Sequence, residues 1–372
     1  MALTSPVRAR PRLPRQDHPS LQLCTGLRSA RWRRYAAPSH PDIPADIREL
    51  YNALVKGDRY ALARSITLVE SYRQDHRQKA HQLLSLILES QKRHLVELKS
   101  TFRIGLSGSP GVGKSTFIEA FGMFLLQKGH KVAVLAVDPS STRTGGSILG
   151  DKTRMTELSR QDNAYVRPSP SRGTLAGGYD ITLVETVGVG QSETMVAEMV
   201  DMFVLLVPPA GGDELQGLKK GIVELSDLVL VNKADGVLAD AARAAAMEYM
   251  SALKFLQPSN AVWRPKVLRI SSVEQSGMDK AWEAMSGYQN VMMVSYWFCN
   301  AGLLDEKRGD QRRLWMWRQI TAELLDRLNR DPVVRDTAEQ LERRVFDGEM
   351  TSGQAADCVV DEFLSKCQGT NG

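Results

Sequence analysis

Residues 104–116 read I-G-L-S-G-S-P-G-V-G-K-S-T. They contain G-x-x-x-x-G-K-S, preceded by an apolar run and followed by a helical pattern from Thr116 to Gln127, so a strand, a tight loop and a helix succeed one another. In the loop Gly108-Ser109-Pro110-Gly111-Val112-Gly113, glycines let backbone N–H groups curl around phosphate oxygens. Lys114 then reaches the outer phosphates and Ser115 offers a hydroxyl to Mg²⁺. The helix that opens with Ser115 and Thr116 points its positive end at the nucleotide. The plainer reading, a glycine-rich turn before an ordinary helix, does not account for strand and helix both being in place.

The 372 residues leave room for one large α/β domain with helical additions. No run of about 18 apolar residues suggests a membrane span. The cysteines Cys24, Cys299, Cys358 and Cys367 are scattered without C-x-x-C spacing, which indicates neither a disulfide framework nor a zinc site. The formal charge of +5 is confined to one end. Residues 1–37 hold eight arginines against the single acid Asp17, a charge of +7, and the remainder carries −2. The folded part therefore offers no bulk attraction for nucleic acid. An arginine-rich, almost acid-free N-terminus reads as a mitochondrial targeting segment over residues 1–40, the alternative being a disordered basic tail.

From Pro41 the composition changes. Apolar residues at three and four spacing over 46–55, 59–78 and 80–98 predict an N-terminal helical segment, residues 41–100. Residues 101–290 form the phosphate-loop domain, predicted as α/β with a doubly wound, mostly parallel sheet. Val132 to Val137 is a buried strand that ends at Asp138, which approaches Mg²⁺ or is a turn aspartate before Pro139. The glycine-rich loop 144–154 suits a segment that orders over a nucleotide, with Asp151 either a metal contact or a surface acid. Ile181 to Glu185 is a strand ending in an acid, with Gly188 three residues on. Glu185 can hold a metal-bound water, and the Gly188 amide can meet the γ-phosphate. Gln191 either orients the attacking water or is solvated. The loop after Val207 contains Asp213 and Lys219, coupled to the nucleotide state unless Asp213 is simply a helix cap.

A further strand, Leu228 to Val231, delivers Asn232-Lys233-Ala234-Asp235. An aspartate here accepts both N1–H and N2–H₂ of guanine, donors that adenine lacks, so the site selects GTP over ATP. Val267 to Ile270 leads to Ser271-Ser272, whose backbone is expected to meet the guanine O6. Residues 291–312 read as an atypical linker, and 313–372 as a helical arm with Trp317, Ile320, Leu324 and Leu328 at helical spacing, a packing or dimer surface.

G-L-S-G-S-P-G-V-G-K-S-T-F-I-E, V-L-A-V-D-P-S-S, G-D-K-T-R-M-T-E-L-S-R, E-T-V-G-V-G-Q-S-E and P-P-A-G-G-D-E-L-Q-G together resemble the GTPase chaperones of methylmalonyl-CoA mutase, over about residues 45 to 368. The resemblance implies a mitochondrial-matrix protein that uses GTP/GDP and Mg²⁺. It further implies docking on methylmalonyl-CoA mutase, gated delivery of adenosylcobalamin from a cobalamin adenosyltransferase, ejection of damaged cofactor, and a homodimer formed through the C-terminal helices. Lys114, Ser115, Asp138, Glu185, Asn232, Lys233 and Asp235 match the family's nucleotide and magnesium positions. Two stretches depart from it. Only thirteen residues separate Arg167 from Ile181, with three glycines and no helical periodicity, where the resemblance implies a longer segment with a helix. Apolar strand surface is expected to be uncovered there, at several kcal/mol on a scale of about 25 cal/mol per Å². The second departure is the aromatic run 294–304, expected to be an exposed apolar patch. A metallochaperone GTPase and a catalytically silent, partner-binding isoform are the competing readings.

Overall fold

The computed structural model describes residues 43–71, 73–93, 101–137, 155–168, 178–186, 192–209, 220–255, 262–294 and 302–369. The targeting segment, Asp138, Asp151, Gly188, Gln191, Asp213, Lys219 and residues 295–301 of the aromatic run lie outside them. The strand expected ahead of the phosphate loop is β1, Phe102–Gly108. It lies between β4, Ile181–Thr186, and β5, Met202–Val207, and pairs in parallel with both. Outward from β4 come β2, Val132–Val137, and β3, Ala164–Pro168, while β6, Leu228–Val231, and β7, Lys266–Arg269, continue from β5. The order is β3-β2-β4-β1-β5-β6-β7, and every pairing is parallel. A parallel sheet is covered on both faces, which explains why β4, β5 and β6 are buried at every residue and why β5 and β6 read as unbroken apolar runs.

Three helices precede the sheet: α1, Ala45–Val55, α2, Arg59–Glu70, and α3, Gln74–Arg93. Helix α4, Lys114–Gln127, follows β1, and the short α5, Thr156–Ser159, precedes β3. Next come α6, Ser192–Ala197, α7, Lys220–Leu225, α8, Ala239–Phe255, and α9, Met278–Met293. On one face Ile104, Leu106, Val134, Leu183 and Val204 meet Phe117 and Phe121 of α4 and Met285 and Tyr288 of α9. On the other, Val184, Phe203, Leu205 and Val229 meet Val196 of α6 and Ala242 and Tyr249 of α8.

The twelve-residue connection from β3 to β4 must cross over β2. Two strand spacings across and one strand length along make a diagonal of roughly 20 Å, and twelve extended residues reach about 40 Å, so the length suffices for the span even without a helix. A right-handed return would put its helix on the α6 face. There the expectation of uncovered strand surface fails, because Ala133 of β2, Tyr165 of β3 and Tyr179 are buried under Ile47, Leu50, Leu62, Ile66 and Leu83 of the three N-terminal helices. Polar contacts fasten this cover: the Arg167 guanidinium donates to the Ala63 carbonyl at 2.8 Å and to Glu70 at 3.2 Å.

The arm also departs from expectation. Its first helix, α10, spans Leu303–Arg330 and starts ten residues ahead of the anticipated boundary at 313, so the C-terminal part of the presumed linker is helix. Those early turns are polar because they dock on buried charge rather than on an apolar face. Asp201, just before β5, has no exposed side-chain surface and accepts from Arg103 and from Arg308 of α10. Lys307 donates to its carbonyl, and Gln311 donates to the Val200 carbonyl at 2.8 Å. Helices α11, Pro332–Phe346, and α12, Ser352–Gly369, complete the arm, α11 capped by the Asp331 carboxylate on Val333 and Val334.

Burial alone would raise the Asp201 carboxyl, but hydrogen bonds from Arg308 and the charge and hydrogen bonds of Arg103 outweigh it and hold the group below its ordinary 3.8. A depressed carboxylate contributes stability in full above 3.8 and loses it as pH falls through the lower folded value. Asp201→Ala is expected to lower the unfolding free energy by about 3–5 kcal/mol in urea titrations at pH 7, and to remove that acid-limb step from the stability profile.

Candidate functional site

The site lies at the carboxyl ends of β1, β4 and β6, where parallel sheets leave a ligand crevice. The β1-to-α4 turn can only be made with glycine at two points. A β-carbon on Gly108 would stand 2.3 Å from the Leu206 carbonyl oxygen, and Gly113, the residue before α4, has φ +92°. The loop curls so that the Lys114 ammonium donates to the carbonyls of Gly108 at 2.7 Å and Ser109 at 3.3 Å. Burial pushes the Lys114 pKa down, and the charges of Glu185 and Glu193 partly offset this. An ammonium held by neutral carbonyls at a half-buried position is suited to exchange them for phosphate oxygens.

Ser115 and Glu185 come together as expected. The Ser115 hydroxyl donates to Glu185 Oε1 at 3.2 Å, across the gap between α4 and the end of β4. Hydroxyl and carboxylate oxygens make a hard-cation donor set, and the phosphates of a nucleotide would add more oxygen, which fits Mg²⁺. Among the described residues no group of three or more His, Cys, Asp or Glu could hold a metal.

At the base end, Asn232 is 1 % exposed and joins three segments. Its amide donates to the Val112 carbonyl at 2.9 Å, and its Oδ1 accepts from the Ser272 N–H at 3.2 Å and the Ser272 hydroxyl at 2.8 Å. Lys233 adopts φ +59°, unusual for a non-glycine residue, and its ammonium donates to the Gly111 carbonyl at 2.8 Å. The half-buried Asp235 heads the short turn Gly236–Leu238 without spending its carboxylate on a capping bond. One expectation is corrected. The Ser271 N–H donates to the Ser276 carbonyl at 3.0 Å and the Ser272 N–H to Asn232, so neither is free for the guanine O6; the two serines brace Asn232 and the loop after β7.

Two acids were not singled out by sequence. Glu193 opens α6, is 6 % exposed, and accepts from Ser107 of β1 at 3.2 Å. Glu119 lies one turn beyond Ser115 and accepts from the Glu157 and Leu158 N–H groups at 2.8 and 3.1 Å, capping α5 from outside. The four-residue spacing from Ser115 was a signal for the second. The first looks like any acid in a helix's opening turn.

A phosphate loop on an all-parallel sheet, wired to an Asn-Lys-x-Asp segment, defines the class: the chain is a P-loop GTPase. The model of the family described as methylmalonyl-CoA mutase-associated GTPase MeaB matches residues 62–332, and the chain belongs to that family. It is similar to the mouse methylmalonic aciduria type A homolog, mitochondrial, with 50% identity over 337 residues, covering 85% of this chain and 79% of the mouse protein. It is likewise similar to the GTPase ArgK of Escherichia coli, 44% identical over 299 residues, with 76% and 86% covered. A crystal structure described as LAO/AO transport system kinase matches with a TM-score of 0.65 at 35% identity, over 86% of this chain and 98% of that one.

Because burial disfavours the charge of the half-buried Lys114 ammonium and Glu185 and Glu193 offset this only in part, Lys114→Ala should leave the unfolding midpoint unchanged or slightly raised. Loss of its charge-assisted bonds, about 1.5–3 kcal/mol, should weaken GTP binding about 10- to 150-fold in calorimetric titration.

Proposed function

We propose that this GTPase works with Mg²⁺ as a chaperone of methylmalonyl-CoA mutase in the mitochondrial matrix. In this role it gates the loading of adenosylcobalamin from an adenosyltransferase and protects or reactivates the mutase. The observation that carries the guanine-nucleotide part is the single side chain, Asn232, that ties Val112 of the phosphate loop to the segment bearing Asp235. Family membership supports the mutase as partner, and the similarity to relatives named mitochondrial supports the compartment.

In this reading the loop from Gly108 to Thr116 cradles the phosphates and Lys114 exchanges its carbonyl partners for the outer ones. Ser115 and Glu185 hold Mg²⁺, with Asp138 and Asp151 as the further contacts. The ion, when bound, neutralises charge on the β- and γ-phosphates. Gly188 meets the γ-phosphate and Gln191 orients water, while Asp235 accepts from guanine N1–H and N2–H₂. Asn232, Lys233, Ser271 and Ser272 keep the base end in register with the phosphate end.

The arm forms a homodimer with a second copy. Beyond the Asp201 clamp α10 exposes Trp317, Leu324 and Leu325, each more than half accessible, and Phe346 of α11 is 90% exposed, an apolar surface of the kind that marks an interface. The twelve-residue crossover favours one second reading, a chain that binds partners without turning over GTP.

The deciding experiment measures GTP binding and hydrolysis by this chain, alone and with methylmalonyl-CoA mutase, beside a version with a full-length crossover. Mutase-stimulated turnover, with GTP preferred over ATP by at least about a hundredfold and the preference lost in Asp235→Ala, is the expected outcome. Equal affinity for the two nucleotides would overturn the guanine assignment. GTP binding without turnover, restored by the longer crossover, would favour the second reading. Leu324→Glu with Leu325→Glu should convert a dimer to a monomer in light scattering.

A further inference from the structure

Glu193 is buried at the phosphate end and has no part in the roles assigned above. Its carboxylate is 6 % exposed. Oε1 accepts from the Ser107 hydroxyl at 3.2 Å, and that hydroxyl in turn accepts from Thr186 at 3.4 Å. Ser107 directly precedes Gly108, whose carbonyl holds Lys114, and Thr186 directly follows Glu185. Three elements thus meet through one chain of hydroxyls: the root of the phosphate loop, the end of β4 and the first turn of α6. Oε2 is buried with no hydrogen-bond partner among the described residues. For packing alone this arrangement is costly, since an alanine or an amide would avoid the buried charge. Helix α6 is also held close against β1, because a β-carbon on Gly105 would stand 2.9 Å from both Val196 and Val200.

We propose that Glu193 is a positioning residue for GTP hydrolysis, which acts through Ser107 to fix the start of α6 against the root of the phosphate loop. It touches neither nucleotide nor metal. Its effect falls on the γ-phosphate side, where α6 begins, and leaves the α- and β-phosphate cradle intact. The inference rests on reading Lys114 and Glu185 as the phosphate and magnesium end of the site.

The test is a double-mutant cycle on the full chain with Ser107→Ala, Glu193→Ala and the pair, reading kcat, KM and the affinities for GDP and for a non-hydrolysable GTP analogue. Each single variant should lower kcat about tenfold or more and reduce the preference for the analogue over GDP, with GDP affinity unchanged. The pair should be no worse than Glu193→Ala alone. Glu193→Gln, which keeps an oxygen for Ser107, should recover most of the loss. Additive losses, or equal losses of GDP and analogue affinity, would overturn the proposal by reducing Glu193 to a structural role. Should Glu193→Ala fail to fold, Ser107→Ala carries the test, and parental kcat in Ser107→Ala would refute it. Unchanged GTP binding in Lys114→Ala would instead place the failure in the reading of the site itself.

Discussion

A carboxylate with no access to solvent fixes how the parts of this molecule are joined. Asp201 sits where α6 has ended and β5 is about to begin, and it gathers Arg103 of β1 and Arg308 of α10 around itself. Removing it would leave two largely buried guanidinium groups without their carboxylate, which is costlier than losing a surface ion pair. Through this one group the central strand, the entry to its neighbour and the base of the arm are registered against one another. Gln311 on the Val200 carbonyl and the ion pair of Arg318 with Glu198 continue the same contact along α6. The residues that follow α6 are therefore held between the sheet and the arm.

Much of the site was legible because its chemistry is local. The glycines, lysine and serine of the phosphate loop act within a few residues of each other, and Asn232 to Asp235 form one short turn. What the sequence concealed depends on distant partners. Glu193 looks like an ordinary acid in the first turn of a helix, and only the parallel pairing of β1 with β4 reveals that it lies under Ser107. Ser271 and Ser272 follow a strand in the right order, but the partners of their N–H groups depend on the turn closed by Ser276 and on where Asn232 points. The strands were readable as runs of β-branched and apolar residues. The first turns of α10 were not, since their polar side chains serve buried charges that periodicity in an apolar pattern cannot register.

The shortened crossover shows how composition-based costs depend on what else the chain supplies. Stripping a helix from a parallel sheet exposes strand surface only if nothing else lies there. Here three helices from the other end of the sequence occupy that side, and Arg167 stitches the edge strand to α2. The connection itself then needs only reach, and twelve residues have reach to spare.

Asn232 serves both halves of the crevice with one side chain. The half that receives phosphates and the half that receives the base therefore cannot be ordered separately: whatever steadies one steadies the other. Two fragments of the ligand, an inorganic pyrophosphate and a free nucleoside, would share a single ordering cost, so that the whole nucleotide binds as a chelate rather than as the sum of its ends.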